Sequence, residues 1–337
     1  TRCITTPSGM RLASRSGTTI TSSTSNVLLI GDTFNFGGAT PVLTSGTVKV
    51  QPFGTSFSSA QTFTNATYGS AVSELTLGKP GNTADITIGS AVNVAGPVSV
   101  YGGNITVNNS LTSTASGADI LLKATGNITS NSDVNYTTNA GDITFWSDSD
   151  GSGAGYIYVY DRNIIDSRTS ANRTSSLTST ASGGGTITLG GGSASTTLAS
   201  GTVVPTGYAV DNSGAAPAGV ALGYHNVSHN SGTALYSGGG DITVRGKSTG
   251  SWSGDSTGIK AIEGLTMDAG TTGDITLDGA GGNAGATYSS GIYLNYLGSA
   301  PTVGALFKTK DGNISLTGVG TLATNKRGIL FIGSASK

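Results

Sequence analysis

Two carboxylates lie close together in a short glycine- and serine-rich segment, residues 147–153. Asp148 and Asp150 are separated by one residue, and Gly151 follows them. This spacing resembles the start of a calcium-binding loop, because Ca²⁺ prefers carboxylate and other oxygen ligands. The glutamate that closes an EF-hand loop is missing, since position 159 is valine. The segment is therefore either a solvated loop or a calcium site at Asp148 and Asp150, and apart from calcium at that site we expect no cofactor.

Three tyrosines follow this segment at alternate positions, Tyr156, Tyr158 and Tyr160, with aliphatic residues between them. Successive side chains of a strand point to opposite faces, so the three phenols share one face. An exposed row of aromatic rings could bind a glycan or a protein partner. The alternative is that the rings pack beneath the loop at 147–155. A later part of the chain carries a weaker second patch, Tyr293 and Tyr296.

No residue pattern in the sequence indicates catalysis. Glycoside hydrolysis needs two carboxyl groups about 5–9.5 Å apart, and the region richest in acids holds Asp142, Asp148, Asp150, Asp161 and Asp166, with Arg162 nearby. Asp142 occupies a turn position of a repeated phrase, which favours a structural role. His225 and His229 would lie about 13 Å apart on a strand, without the Glu or Cys partners of a zinc site. We predict no catalytic residues.

The composition excludes several classes of protein. The chain has 337 residues with 17 basic and 18 acidic side chains, so it lacks the positive charge of a nucleic-acid-binding protein. No apolar run approaches the length of a membrane helix, about 20 residues. Hydrophobic residues make up 36% of the chain and the net charge is −1, which argues against disorder. Cys3 is the only cysteine, so no intramolecular disulfide can form.

A short phrase recurs along the chain: a small residue, Asp or Asn, Ile, Thr or Ser, and usually an apolar residue. We expect its Gly and Asn or Asp to supply the positive φ of a tight turn. Its Ile and the next apolar residue face the same side of a strand. In the C-terminal half a second phrase, Gly-Ile, follows the first at 258–259, 291–292 and 328–329. The clearest copies of the first phrase are at 84–88, 103–107, 126–129, 141–145, 240–244, 273–277 and 312–316.

A constant strand phrase with loops of variable length is typical of a solenoid, whose coils bury their apolar faces only by stacking. We therefore predict an all-β protein, a parallel β-helix of about ten coils with long Gly/Ser-rich loops. A β-sandwich is the competing architecture. Residues 1–70 are predicted to be an irregular N-terminal β region or coils leading into the solenoid. Residues 71–337 form the solenoid repeats, with an irregular, loop-rich stretch near 190–239 that holds long loops or an inserted hairpin.

The run at 95–107, AGPVSVYGGNITV, and the spaced Gly-Asp-Ile-Thr phrases after it resemble the repeats of large bacterial surface exoproteins. These are the filamentous-haemagglutinin-like and β-strand-repeat proteins, and the resemblance covers roughly residues 70–337. It implies a right-handed parallel β-helix, export to the bacterial surface, and a role in adhesion, matrix or fibre formation. It supplies no catalytic residues. The family's N-terminal secretion domain is not recognisable here, so we expect the chain to be a segment of a longer protein.

These observations lead to a functional expectation. The chain is predicted to be a non-catalytic, extracellular structural or adhesive β-solenoid that forms a stalk, fibre or matrix element. Its expected partners are further copies of itself, associating end to end, and host or matrix glycans or surface proteins. Nucleic-acid binding and membrane insertion are not expected. The alternative is a carbohydrate-active enzyme on the same fold, a polysaccharide lyase, hydrolase or depolymerase.

Overall fold

The protein is a parallel β-solenoid, and its described residues form eleven stacked coils, as a computed structural model shows. Each of the first ten coils contributes one strand to each of three faces, which we call A, B and C, and the last contributes to faces A and B. Within the described residues the chain is all-β, apart from a single 3-10 turn at Asn172–Thr174. The structure describes residues 2–5, 11–14, 18–36, 40–174, 180–216, 218–223, 232–250, 254–262, 264–283, 285–296, 304–321 and 323–333.

The strands follow the order A, B, C within each coil. Coils 1 to 3 consist of β1 (Arg2–Thr5), β2 (Arg11–Ser14), β3 (Ile20–Thr21), β4 (Val27–Ile30), β5 (Thr33–Phe36), β6 (Thr40–Leu43), β7 (Thr47–Gln51), β8 (Gln61–Phe63) and β9 (Ala66–Tyr68). Coils 4 to 6 consist of β10 (Glu74–Leu77), β11 (Ile86–Ile88), β12 (Val92–Val94), β13 (Val98–Gly102), β14 (Ile105–Val107), β15 (Leu111–Ser116), β16 (Ile120–Ala124), β17 (Ile128–Ser130) and β18 (Asn135–Asn139).

Coils 7 and 8 consist of β19 (Ile143–Ser147), β20 (Ile157–Val159), β21 (Ile164–Asp166), β22 (Ile187–Thr197), β23 (Val203–Gly207), β24 (Ala209–Asp211), β25 (Val220–Leu222) and β26 (Thr233–Tyr236). In coil 8, β23 and β24 belong to an insertion between faces A and B. Coils 9 to 11 consist of β27 (Ile242–Ser248), β28 (Asp255–Ile262), β29 (Leu265–Asp268), β30 (Ile275–Gly282), β31 (Tyr288–Tyr296), β32 (Ala305–Lys308), β33 (Ile314–Thr321) and β34 (Asn325–Gly333).

Inward-facing side chains form continuous apolar columns, because parallel pairing aligns equivalent residues of successive coils. The column on face A is buried from coil 2 to coil 10: Val27, Val48, Leu75, Val98, Ile120, Ile143, Ile187, Ile242 and Ile275. Its last member, Ile314 of coil 11, is 46% exposed. The column on face B is equally buried: Ile86, Ile105, Ile128, Ile157, Val220, Ile259 and Ile292. The predicted parallel β-helix is therefore confirmed, and the β-sandwich alternative is wrong.

The repeated phrase begins strands on two faces of the solenoid, not one. In coil 6 it occurs twice: Asp119 and Ile120 begin the face A strand, and Asn127 and Ile128 begin the face B strand. Both isoleucines are fully buried. The repeat spacings in the sequence are uneven partly because copies from different faces follow one another.

The Asp or Asn of the phrase forms a side-chain ladder along the solenoid. The Oδ1 atom of Asp119 accepts a hydrogen bond from the backbone N–H of Asp142 at 2.7 Å. On face B, Asn104 Oδ1 accepts from Asn127 N–H at 2.9 Å in the same way, and Asn127 Oδ1 accepts from Tyr156 N–H at 3.0 Å. Each side chain thus binds the backbone N–H of the next coil at the corner where the strand begins, which satisfies a polar group near the core.

The glycine of the phrase serves close packing between coils. We expected it to adopt positive φ, and this is wrong for Gly141 and Gly240, which are absent from the positive-φ residues. A Cβ atom at Gly141 would lie within 3.0 Å of the carbonyl group of Ala118 in the coil below. A Cβ at Gly240 would overlap Gly185 in the same manner. Only glycine fits here, because the corners of adjacent coils touch through their backbones.

The N-terminal residues stack on the same sheets as the rest of the chain. Face A pairs in parallel without interruption from Arg2–Thr5 to Ile314–Thr321. The described part of residues 1–70 therefore forms three coils, with two small sheets completing faces B and C. Among the described residues, no helix has the length and apolarity of a membrane-spanning segment.

The stretch near 190–239 contains an inserted β-hairpin. β22 runs past the end of face A and pairs antiparallel with β23, with Thr197 opposite Val203. The hairpin folds back over the outside of face A towards coils 7 and 6. Its tip is fixed by two hydroxyl groups: Ser200 Oγ donates to Asp142 Oδ2 at 2.6 Å and Thr202 Oγ1 to Asp119 Oδ2 at 3.0 Å.

Candidate functional site

The tyrosine row lies on the outer surface of face B in coil 7. Ile157 and Val159 of β20 are fully buried, so Tyr156, Tyr158 and Tyr160 point outward, and each of them is half-buried. The rings of Tyr158 and Tyr160 contact each other, with centroids 4.5 Å apart and planes at 60°. Two adjacent aromatic rings therefore present one combined surface on this face.

The surroundings of Tyr156 keep its phenol neutral. Burial raises the pKa of Tyr156, and the nearby Asp211 carboxylate raises it further, while a hydrogen bond with Thr129 opposes them. Asp211 is itself buried, which raises the pKa of its carboxyl group. Tyr156 thus offers a neutral, partly apolar ring at neutral pH.

The column that contains Tyr158 continues through later coils, where Ala221 and Lys260 are buried and Tyr293 is half-buried. Parallel pairing aligns Tyr158 with Ala221, Lys260 and Tyr293 in the next three coils. Lys260 Nζ lies 5.1 Å from the centre of the Tyr293 ring and 3.2 Å from an oxygen of Asp255. Burial lowers the pKa of Lys260, and Asp255 opposes this shift.

We call the half-buried tyrosines of coil 7, Tyr156, Tyr158 and Tyr160, the face B patch. Sequence reasoning treated Tyr293 as a separate patch and did not single out Lys260. The aligned phrases Gly258-Ile259-Lys260 and Gly291-Ile292-Tyr293 could have revealed both, because residues after equivalent isoleucines share one outward column.

Asp148 organises the loop that follows β19. Its Oδ1 atom accepts hydrogen bonds from Gly153 N–H at 2.9 Å, Ser152 Oγ at 3.1 Å and Ala154 N–H at 3.2 Å. Its backbone has a φ of 48°, a left-handed conformation that aspartate tolerates in turns. Asp150 Oδ1 accepts from Ser152 N–H at 3.1 Å, and the Asp150 side chain is exposed.

Calcium binding by Asp148 and Asp150 stays a prediction. In the described part of the chain, no cluster of three or more His, Cys, Asp or Glu side chains could hold a metal ion. His225 and His229 lie outside the described residues.

The other acids of the region form ion pairs. Arg162 Nη1 donates to Asp161 Oδ2 at 2.8 Å, and Ser132 Oγ also donates to Asp161. Asp166 Oδ2 lies 2.7 Å from Arg168 Nη2 and 3.2 Å from Arg173 Nε. These carboxylates are engaged in holding corners of the solenoid together.

Asp119, an acid of the side-chain ladder, tests how a charge at a corner of the solenoid affects the stability of the fold. Burial raises the pKa of Asp119, the neighbouring Asp142 carboxylate adds to this, and hydrogen bonds from Asp142 N–H and Thr202 oppose it. Because the folded-state pKa lies above that of the unfolded chain, ionisation of Asp119 costs stability at neutral pH. Asp119→Asn keeps the acceptor for Asp142 N–H and removes the charge, so we expect a higher melting temperature at pH 7.

The difference in melting temperature between Asp119→Asn and the wild type should depend on pH. As the pH falls through the folded-state pKa of Asp119, the wild-type protein binds a proton and regains that stability. The gap between the Asp119→Asn variant and the wild type should therefore shrink in thermal scans at decreasing pH. A variant that melts below the wild type at pH 7, or a gap that does not depend on pH, would contradict this account.

The chain matches no protein-family model, no curated protein and no solved structure.

Proposed function

We propose that the protein is a non-catalytic, extracellular structural and adhesive element, a rigid rod that carries contact surfaces. The observation that carries this proposal is the unbroken pair of apolar columns on faces A and B. Eleven coils at the strand spacing of about 4.8 Å give a rod roughly 50 Å long. Such a stack is stiff because each coil is hydrogen-bonded to its neighbours along its strands.

The resemblance of residues 70–337 to bacterial surface exoproteins supports a place at the cell surface. Serine and threonine on the outer columns, such as Thr106, Thr243 and Thr276, give the rod a neutral, hydrated surface. In this proposal, copies of the rod associate end to end into a stalk, fibre or matrix element. Negative-stain electron microscopy tests it: rods of about 50 Å or linear assemblies of them are expected, and compact particles without an elongated axis would contradict it.

The enzyme alternative requires a pair of carboxylates that can reach a sugar. Asp148 and Asp161 are buried and held by hydrogen bonds, whereas Asp150 is exposed. If the protein cleaved polysaccharides, replacing Asp148, Asp150 and Asp161 by asparagine would abolish the release of reducing ends and leave assembly intact. Under our proposal, neither the wild-type protein nor the variant releases product. The same images taken with and without a chelator test the calcium hypothesis, since loss of ordered assemblies on chelation would support it.

We propose that the face B patch is the adhesive contact. Tyr158→Ala combined with Tyr160→Ala removes the paired rings, so we expect retention on matrix glycans or surface proteins to fall by about tenfold, the effect of losing an aromatic anchor. The matched control is Thr87→Ala with Thr106→Ala, two outward residues of face B in coils 4 and 5. Retention is measured on a glycan array and in a cell-binding assay. The patch is not the contact if the tyrosine variant is retained as well as the control and the wild type.

A further inference from the structure

A groove with a volume of about 240 Å³ lies beside face A, outside the face B patch. Side chains from three coils line it: Tyr101 from coil 5, Lys123 and Thr125 from coil 6, and Ser149 and Asp150 from coil 7. The turn at 80–82 of coil 4 forms its far wall. The groove thus joins four successive coils at the point where face A ends.

The walls of the groove are held by buried hydrogen bonds. Asn82 is 2% exposed; its Nδ2 donates to the carbonyl oxygen of Tyr101 at 2.7 Å, and its Oδ1 accepts from Phe57 N–H at 3.1 Å. On the opposite side, the contacts of Asp148 described above fix the loop that carries Ser149 and Asp150. Both walls are therefore set before any ligand binds, which lowers the entropic cost of binding.

The floor offers a flat aromatic ring. Tyr101 points outward from β13 and is half-buried, and its hydroxyl group hydrogen-bonds to Ser99. Burial raises the pKa of this phenol, so the ring stays neutral. The exposed part of the ring gives a surface on which the apolar face of a sugar could stack.

Lys123 brings a positive charge to the same groove. Its Nζ lies 3.5 Å from the centre of the Trp146 ring, and Trp146 is 4% exposed with its Nε1 donating to Gly192 O at 2.7 Å. The tryptophan therefore holds the lysine in place. Lys123 takes part in none of the ion pairs of the described residues. An ammonium group has three donors, and the contact with the ring face leaves donors for an anion.

We propose that this groove binds an anionic sugar unit of a polysaccharide, of the uronic acid class. The sugar carboxylate pairs with Lys123 Nζ, the pyranose ring stacks on Tyr101, and the hydroxyl groups bond to Thr125, Ser149 and Asp150. The volume is below the roughly 300–1,000 Å³ of sites that enclose a drug-sized ligand, which suits a single unit of a longer chain. Asp150 lines the same groove. Its carboxylate accepts from sugar hydroxyls and selects against ligands that carry only negative charge.

Isothermal titration calorimetry with trigalacturonic acid, and with maltotriose as the neutral trisaccharide, tests this proposal. We expect the wild-type protein to bind trigalacturonic acid, more weakly at higher salt, and to bind maltotriose at least tenfold more weakly. Lys123→Met keeps the side-chain stem over Trp146, and it should weaken binding of the acidic trisaccharide by about tenfold, the effect of losing one charge-assisted hydrogen bond. Lys310→Met, in a remote exposed loop, removes the same charge and should leave binding unchanged.

Tyr101→Leu keeps an apolar side chain and tests the stacking contact independently; it should weaken both trisaccharides equally. Far-UV circular dichroism confirms that each variant is folded. The proposal is overturned if the wild-type protein binds neither trisaccharide, if Lys123→Met binds trigalacturonic acid as the wild type does, or if inorganic sulfate competes as strongly as the sugar. The tyrosine variants of the face B patch should bind trigalacturonic acid normally, so this site and the proposed adhesive contact can fail separately.

Discussion

Gly141→Ala is expected to destabilise the solenoid severely, although it adds one methyl group. The added Cβ would overlap the backbone of Ala118 in the coil below, and a neighbouring backbone cannot move aside as the end of a side chain can. Overpacking of this kind costs typically 1–3 kcal/mol, and we expect a loss of about 3 kcal/mol. Urea unfolding followed by circular dichroism measures the change in the free energy of unfolding.

Gly54→Ala is the matched control for this substitution. A Cβ at Gly54 would have its nearest neighbour at 4.0 Å, and the residue is not among those with positive φ. We expect Gly54→Ala to be neutral or to stabilise slightly, because alanine restricts the unfolded chain. If the two variants unfolded at the same urea concentration, the glycine would not be required by the stacking of coils.

Phe145→Ala is expected to have the second large effect, by opening a cavity at the centre of coil 7. Phe145 is fully buried and packs edge-to-face against Tyr136, with ring centroids 4.7 Å apart. It is aligned with Leu122 below and Leu189 above. Removing a buried phenylalanine costs about 3–5 kcal/mol.

The shape of the unfolding curve carries further information. The core of each coil packs on its neighbours, and coils 6 and 8 are otherwise joined through the hairpin contact of Thr202 with Asp119. Damage in coil 7 should therefore weaken the coupling between the coils on either side. We therefore expect Phe145→Ala to broaden the urea transition or divide it into two steps. Phe53→Ala is the control, since Phe53 is 53% exposed, and its transition should keep the wild-type shape. A Phe145→Ala transition that coincides with that of Phe53→Ala would contradict the stacked core.

The alternation of apolar and polar residues in the repeated phrase was sufficient to predict the fold. Ile86 and Ile105 are predicted to face inward because each is followed by a threonine and a second apolar residue, and the two isoleucines pair directly. The outward orientation of Tyr156 and Tyr158 follows from the same rule. These features are local, since a strand's period of two fixes which side chains share a face.

Other features depend on contacts between coils and could not be predicted locally. The close packing at Gly141 requires knowing that Ala118 lies beneath it, and the phrase alone suggested a turn. Lys260 joins the column that contains Tyr158 only through the register of four coils. The hairpin over face A is fixed by hydroxyl groups at its tip that bind ladder acids far away in the sequence, Ser200 to Asp142 for example.

The central claim is that coils stack in register from one end of the chain to the other, and one distance tests it most directly. Thr62 and Tyr293 occupy the same outward column of face B, seven register steps apart. Spin labels at these two positions, in a Cys3→Ser background, can be measured by double electron–electron resonance. The account predicts a single narrow distribution near 34 Å, seven times the strand spacing of about 4.8 Å. A broad distribution would contradict the account. So would one centred below about 20 Å, which is expected for a folded-back sandwich with its sheets about 10 Å apart.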